Sequence, residues 1–181
     1  VLPTLNPVVL SGHVMFHGAQ AGEKALALGR DAVVGAYEGV ASIPSYFVDP
    51  ARACPATTLY DSVQAHGPLV RVDEASEKAS ALEALMRKYQ PEGGYTPLSA
   101  SSPLYERALA GLLVFGVRLD RVEGKRKLAQ NRSAEQIHGI IEGLWRRGAP
   151  GDLGAIGRIL AANPGVDFPP RFLGPSGTRL E

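Results

Sequence analysis

Apolar and polar positions along the chain alternate between a period of two and a period near 3.6. Val1-Leu2 and Val8-Val9-Leu10 form a strand-like stretch, and His13-Val14-Met15-Phe16-His17 reads as a short strand ended by Gly18. Residues 21–29 have the make-up of one short helix, with Gly29 as its C-terminal stop. Ala32-Val33-Val34-Gly35-Ala36-Tyr37 predicts another strand. A connection over residues 41–56, punctuated by Pro44, Pro50 and Pro55, is long enough that a functional role is expected of it. From Thr57 to Val72 the residues Leu59, Tyr60, Val63, Leu69, Val70 and Val72 predict a β-rich run, with Gly67-Pro68 marking a bulge or bend.

The period then changes. Leu82, Leu85, Met86 and Tyr89 keep the three-and-four spacing of a buried stripe on a helix over residues 74–90, which Pro91, Gly93 and Gly94 end. Leu112 to Leu119 is the last clear strand and extends towards Val122. Beyond it, Ser133 and Gln136 form a capping box ahead of a helix whose apolar face is Ile137, Ile140, Ile141, Leu144 and Trp145. A second helix over residues 152–161 turns Leu153, Ile156, Ile159 and Leu160 inward, and the Pro- and Gly-rich tail after Pro164 is expected to be extended or mobile. Strands joined by turns and occasional helices favour a mainly β chain with helices, an α+β antiparallel barrel, over a Rossmann fold.

Composition narrows this little. The chain has 181 residues, 45% hydrophobic and 20% charged, with a net charge of +1, as ordinary globular proteins do. No apolar run approaches the roughly 18 residues that span a bilayer. Cys54 is the only cysteine, so no internal disulfide or Cys-rich zinc site can form, which fits the cytoplasm. The chain starts at Val1 inside an apolar stretch, and residues upstream, including an N-terminal strand, are expected to be missing. Between Arg121 and Arg147 seven cations face three glutamates, an arrangement that serves either an anion site or a solvated face.

Three segments could carry chemistry. In Phe16 to Lys24 a strand runs through a glycine turn into a helix start with a lysine, which suits a phosphate or is a plain strand–turn–helix. In Tyr60 to Gly67 alternation places Tyr60, Ser62 and Gln64 on one face, either to read the edge of a flat heterocycle or as a wet strand face. Residues 124–132 bring four cations and two amides between a strand and a capped helix, as an anion site or a basic loop. His13 and His17 share a strand face without a third ligand, so no metal is expected, and neither GxSxG nor a nucleotide-binding glycine motif occurs. No helix suited to reading DNA is evident, and nucleic-acid and membrane partners are not expected.

These segments also carry a resemblance. FHGAQAGEK (Phe16 to Lys24) resembles the FHGAxxGRK segment of the flavin-nucleotide-binding and nitroimidazole-resistance branch of the pyridoxamine-phosphate-oxidase-like superfamily. YDSVQAHG (Tyr60 to Gly67) is similar to that branch's YRSVxxxG strand, and Val72-Asp73-Glu74 with Glu77-Lys78 to its VEDPEEK segment. VEGKRKLAQNR (Val122 to Arg132) resembles the EGKxKLSQNR signature of PaiB-type FMN-binding regulators, and Gly139 to Leu144 their terminal helix.

The resemblance implies a split β-barrel homodimer with FMN in a cleft between the subunits. It makes residues 1–132 the flavin-binding barrel and residues 133–181 C-terminal helices and a tail packed on the same domain. Carried over, His17 and Lys24 lie near the phosphate or ribityl chain. Ser62 and Val63 meet the isoalloxazine edge on a strand that also presents Tyr60 and Gln64, while Lys127, Gln130 and Asn131 come from the tail signature. It implies a flavin-dependent oxidoreductase passing electrons from NAD(P)H to a small organic acceptor. The alternatives are a non-catalytic PaiB-type regulator or a barrel that has lost FMN. No catalytic acid or base is assigned; Tyr60 and His66 are near the proposed flavin strand. Two departures bear on this. Asp61 stands where YRSV has arginine, and Glu23 where GRK has it, each placing an anion where a cation is expected unless both positions face solvent.

Overall fold

The computed structural model describes residues 3–167; the strand expectation at Val1-Leu2 and most of the tail after Pro164 lie outside them. Within them are six strands, β1 (Val8–Leu10), β2 (His13–Gly18), β3 (Asp31–Ile43), β4 (Thr57–Val72), β5 (Leu113–Arg118) and β6 (Arg121–Lys127). Five helices accompany them: α1 (Glu23–Leu26), α2 (Ala75–Tyr89), α3 (Pro103–Gly111), α4 (Ala134–Arg147) and α5 (Asp152–Ala162). The strands follow the order β1-β2-β5-β4-β3, and β6 pairs with β4. The α+β antiparallel class expected from the sequence is the one observed. The chain divides into two compact units, one made of residues up to Gly35 with Gln64–Glu123, the other of Ala36–Val63 with the residues from Gly124 onward.

In the first unit, β1 and β2 form a hairpin through Ser11 and Gly12, both at positive φ, as a two-residue turn matched to strand twist requires. β2 pairs with β5 over His13↔Arg118 to Gly18↔Leu113, and β5 with β4 over Leu69↔Val117 to Val72↔Val114. The pleat sends Val14 and Phe16 to one face, where Phe16 stacks on Phe115 with ring centroids 5.3 Å apart among Ala65, Leu69 and Val117. Met15 goes to the other face and packs with Val114, Val72 and the helix residues Ala79, Leu82, Leu85 and Leu109. Because β5 is covered on both faces, Leu113 to Val117 is an uninterrupted buried run.

In the second unit, α4 and α5 close a core of Ile43, Leu59, Leu128, Ile137, Ile140, Ile141, Leu144, Ile156 and Ile159. The expected capping box forms, with the Gln136 amide donating to Ser133 Oγ and the Ser133 amide to the Gln136 side chain. Ser133→Ala is expected to cost about 1 kcal/mol, measured by urea denaturation. The connection over residues 44–56 is held down. It contains a 3-10 turn, Ser45–Phe47, and the Phe47 ring lies so close to Gly143 of α4 that a Cβ there would come within 2.4 Å of it.

Several expectations need correction. The helix read over residues 21–29 shrinks to the four residues of α1, since Gly22 and Gly29 both take positive φ. The basic segment read as a loop is, up to Lys127, strand β6, hidden because Arg-Val-Glu-Gly-Lys-Arg-Lys shows no apolar alternation. Helix α3 was not foreseen, Tyr89, expected in the buried stripe of α2, is exposed at the helix end, and Leu153, expected inside, is 67% exposed while Ala155 is buried in its stead.

Candidate functional site

Strand β4 organises the second unit's candidate groups. Leu59 faces the helical core and is buried, and Asp61, two residues on, shares its face. Asp61 does not face solvent. Arg126 of β6 grips its carboxylate through two bonds, Nε to Oδ1 at 2.8 Å and Nη2 to Oδ2 at 2.9 Å, and Arg158 of α5 donates to it as well. Arg158 also bonds Glu38 of β3 at 2.7 Å. Hydrogen bonding from Arg126 outweighs desolvation and brings the Asp61 carboxyl down to about 2. The anion that replaces the family arginine is thus neutralised by two guanidinium groups from its own unit. Glu23, the other departure, is exposed in the first turn of α1.

The even positions of β4 turn the other way. Tyr60 is half-buried, with the Tyr37 ring of β3 at a centroid distance of 5.5 Å and the Lys127 ammonium 6.0 Å from its own centroid. Lys127 Nζ donates to Thr57 Oγ1, fixing its head beside the aromatic pair. Ser62 is half-buried, Val63 is 39% exposed, and Tyr37 is 63% exposed. Two tyrosine rings and a lysine on one sheet region offer a flat heterocycle ring contact and a positive charge. Tyr37 was missed from the sequence because its strand-neighbour relation to Tyr60 is set by the β3–β4 pairing alone.

The rest of the tail signature has a structural task. Gln130 accepts from the Leu128 amide and donates to the Arg126 carbonyl, so its side chain closes the turn in which Ala129 takes φ 67°. Asn131 is exposed. Three cations of the basic cluster are ion-paired within the second unit: Arg126 with Asp61, Arg146 with Glu142, and Arg147 with Asp152.

In the first unit, His17 and Lys24 go to opposite faces of the sheet. Lys24 lies over Phe16, its Nζ 5.9 Å from the ring centroid, and its head lies 3.3 Å from where a Gly18 side chain would begin. Four residues of helix sum few peptide dipoles, so what this turn offers an anion is the Lys24 charge rather than a helix N-terminus. His17, an odd position of β2 like Met15, lines a cavity of about 420 Å³ on the face covered by α2 and α3. Gln64 is exposed. His66 has the Arg121 guanidinium 3.3 Å from both ring nitrogens and Glu123 at 3.8 Å. Among the described residues no group of three metal-ligating side chains converges, and no helix is long and apolar enough to cross a membrane.

No curated protein sequence matches the chain at a significant level. Among solved structures, the chain is similar to the FAD and heme binding protein from Mycobacterium smegmatis, at 21% identity and a TM-score of 0.50, over 66% of this chain and 55% of that one. It is also similar to the flavocytochrome Anf3 from Azotobacter vinelandii, at 20% identity and a TM-score of 0.48, over 66% and 52% of the two chains. The matched part amounts to little more than half of either protein. Residues 1–126 match the family model described as pyridoxamine 5'-phosphate oxidase, and with the antiparallel sheet, its hairpin start and its flanking helices the chain belongs to that split-barrel family.

Proposed function

We propose that the protein binds FMN and works as a flavin-dependent oxidoreductase, passing electrons from NADH or NADPH to a small organic acceptor as a cytoplasmic homodimer. The observation that carries this reading is the Tyr37–Tyr60–Lys127 group on β3, β4 and β6 in a chain of this family. The donor set fits a flavin: the tyrosine faces suit the ring system, the Ser62 hydroxyl a polar ring edge, and the Lys127 ammonium an electron-rich one. The sequence resemblance gives Lys24 to the phosphate, and the Arg126–Asp61 pair explains how Asp61 is tolerated. The M. smegmatis relative binds FAD, which supports a flavin; FMN rests on the sequence resemblance. When bound, FMN would supply the hydride and single-electron chemistry, and this chain's residues would bind and orient it.

Homodimerisation is supported by apolar strand residues that face solvent in each unit, Val33 and Val122 in the first, Tyr37 and Val63 in the second. Light scattering is expected to give twice the chain mass.

The decisive experiment is titration of the purified protein with FMN while flavin fluorescence is followed. Quenching at one FMN per subunit, and bleaching of the bound flavin's absorbance by NADPH, are the expected results. Lys24→Ala and Ser62→Ala are each expected to weaken binding, Lys24→Ala by about tenfold or more because a charge-assisted contact is lost. Parent-like binding by both variants would remove these residues from the site, and a protein that ignores FMN would end the flavin reading.

A further inference from the structure

The cavity beside His17 is not accounted for by the flavin reading. It lies wholly in the first unit, between β2, α2, α3 and the segment that joins the two helices. Leu82, Leu85 and Met86 of α2 and Ala108, Leu109 and Leu112 at α3 give it aliphatic walls, and Tyr95 and Tyr105 add aromatic ones. No lining side chain is an acid, a lysine or an arginine, so a charged guest would leave water without a counter-charge. Both tyrosine hydroxyls are engaged by the protein, Tyr95 donating to Glu83 and Tyr105 to the Thr96 carbonyl. The His17 ring has no such partner among the described residues, which leaves its nitrogens free to read a guest. At about 420 Å³ the space is within the range of small-molecule sites and too small for a protein helix, whose diameter is about 10 Å or more.

We propose that this cavity is a binding site for a small uncharged aromatic molecule, of one or two fused rings, that carries a hydroxyl able to donate to the His17 imidazole. The apolar and aromatic walls supply ring contact, and His17 at the rim sets orientation. The pleat explains the arrangement: the same alternation that buries Phe16 against Phe115 turns His17 towards α2 and α3.

The test uses the full chain freed of flavin, with 2-naphthol and naphthalene as probes followed by calorimetry. The parent is expected to bind one 2-naphthol per chain, roughly five- to tenfold more tightly than naphthalene, the difference one neutral hydrogen bond makes. His17→Phe is expected to abolish that preference while retaining naphthalene. Ala108→Phe, at an exposed helix position, and Leu98→Trp as a second filler are expected to weaken both probes, with circular dichroism confirming the fold. Absence of saturable binding to the parent, an unchanged preference in His17→Phe, or parent-like binding by both fillers would each overturn the proposal. So would competition between FMN and 2-naphthol, which would make the cavity part of the flavin site. Failure of FMN to bind at all would leave this result standing and end only the flavin reading.

Discussion

Gly67→Ala is expected to lower the melting temperature by about 10 °C, corresponding to roughly 3 kcal/mol in a chain of this size. Gly67 is buried in the middle of β4, and a Cβ there would come within 1.9 Å of the Arg118 carbonyl oxygen and 2.9 Å of its carbon. The obstacle is backbone, so no rotamer change relieves it; one of two paired segments must shift. The Leu69↔Val117 register begins two residues further along, and the Leu119 amide bonds Gly12 at the hairpin turn, so the shift would propagate into packed sheet. Gly111→Ala is the control. It sits at the end of α3 with nothing within 4 Å of its would-be Cβ, and is expected to stay within about 0.5 kcal/mol of the parent. Thermal unfolding by circular dichroism separates the two. Equal melting temperatures for Gly67→Ala and Gly111→Ala would show that β4 can bulge at Gly67 and that the close approach is not limiting.

Asp152→Ala is expected to be nearly as damaging, by about 3 kcal/mol, because it strips the partner from a largely buried arginine contact. Asp152 is 3% exposed and receives Arg147 Nη2 at 2.6 Å, Arg147 Nε at 2.9 Å and the Ala149 amide at 2.8 Å. The same Arg147 donates to the Ser42 carbonyl and lies over the Phe47 ring, so one carboxylate steadies the α4–α5 joint and the residues ahead of the 3-10 turn. Asp152→Asn keeps an acceptor and loses the charge, and is expected to fall between parent and Ala in urea unfolding. Hydrogen bonding from Arg147 holds the Asp152 carboxyl below its ordinary value of 3.8. A group whose folded value is depressed stabilises the fold fully above its unfolded value and loses that contribution as pH falls through the folded one. Stability should therefore decline as pH drops below about 4. Part of this decline should vanish in Asp152→Asn. Asp61, held at about 2, contributes in the same direction over the same range. Parallel pH profiles for parent and Asp152→Asn would show that Asp152 is not among the groups responsible.

Several features of this protein follow from the sequence alone. The α2 and α4 helices are legible because their apolar residues recur at helical spacing, and the α4 start because Ser133 and Gln136 cap each other within one turn. β2, β4 and β5 are legible as β-branched and aromatic runs, and the family by three motifs in order. These are local signals: each depends on residues within a turn or a strand of one another. What the sequence leaves open depends on pairing across long separations. β6 carries no apolar alternation and becomes a strand only by pairing with β4, and α3 is revealed by the Leu109 it buries against α2.

The fate of the candidate site residues was decided the same way. That Asp61 is neutralised follows from Arg126 and Arg158, 65 and 97 residues away along the chain, and neither is implied by the local YDSV motif. That Gln130 closes a turn, that Tyr37 stands beside Tyr60, and that His17 leaves Lys24 for a cavity under α2 and α3 are likewise matters of pleat and neighbour. Residue types and local periodicity determined most of the elements, and the resemblance of three motifs pointed to the family. Which side chains meet, and which charges cancel, was decided by tertiary structure, because electrostatic and packing energies fall off over a few ångströms of space and take no account of distance along the chain.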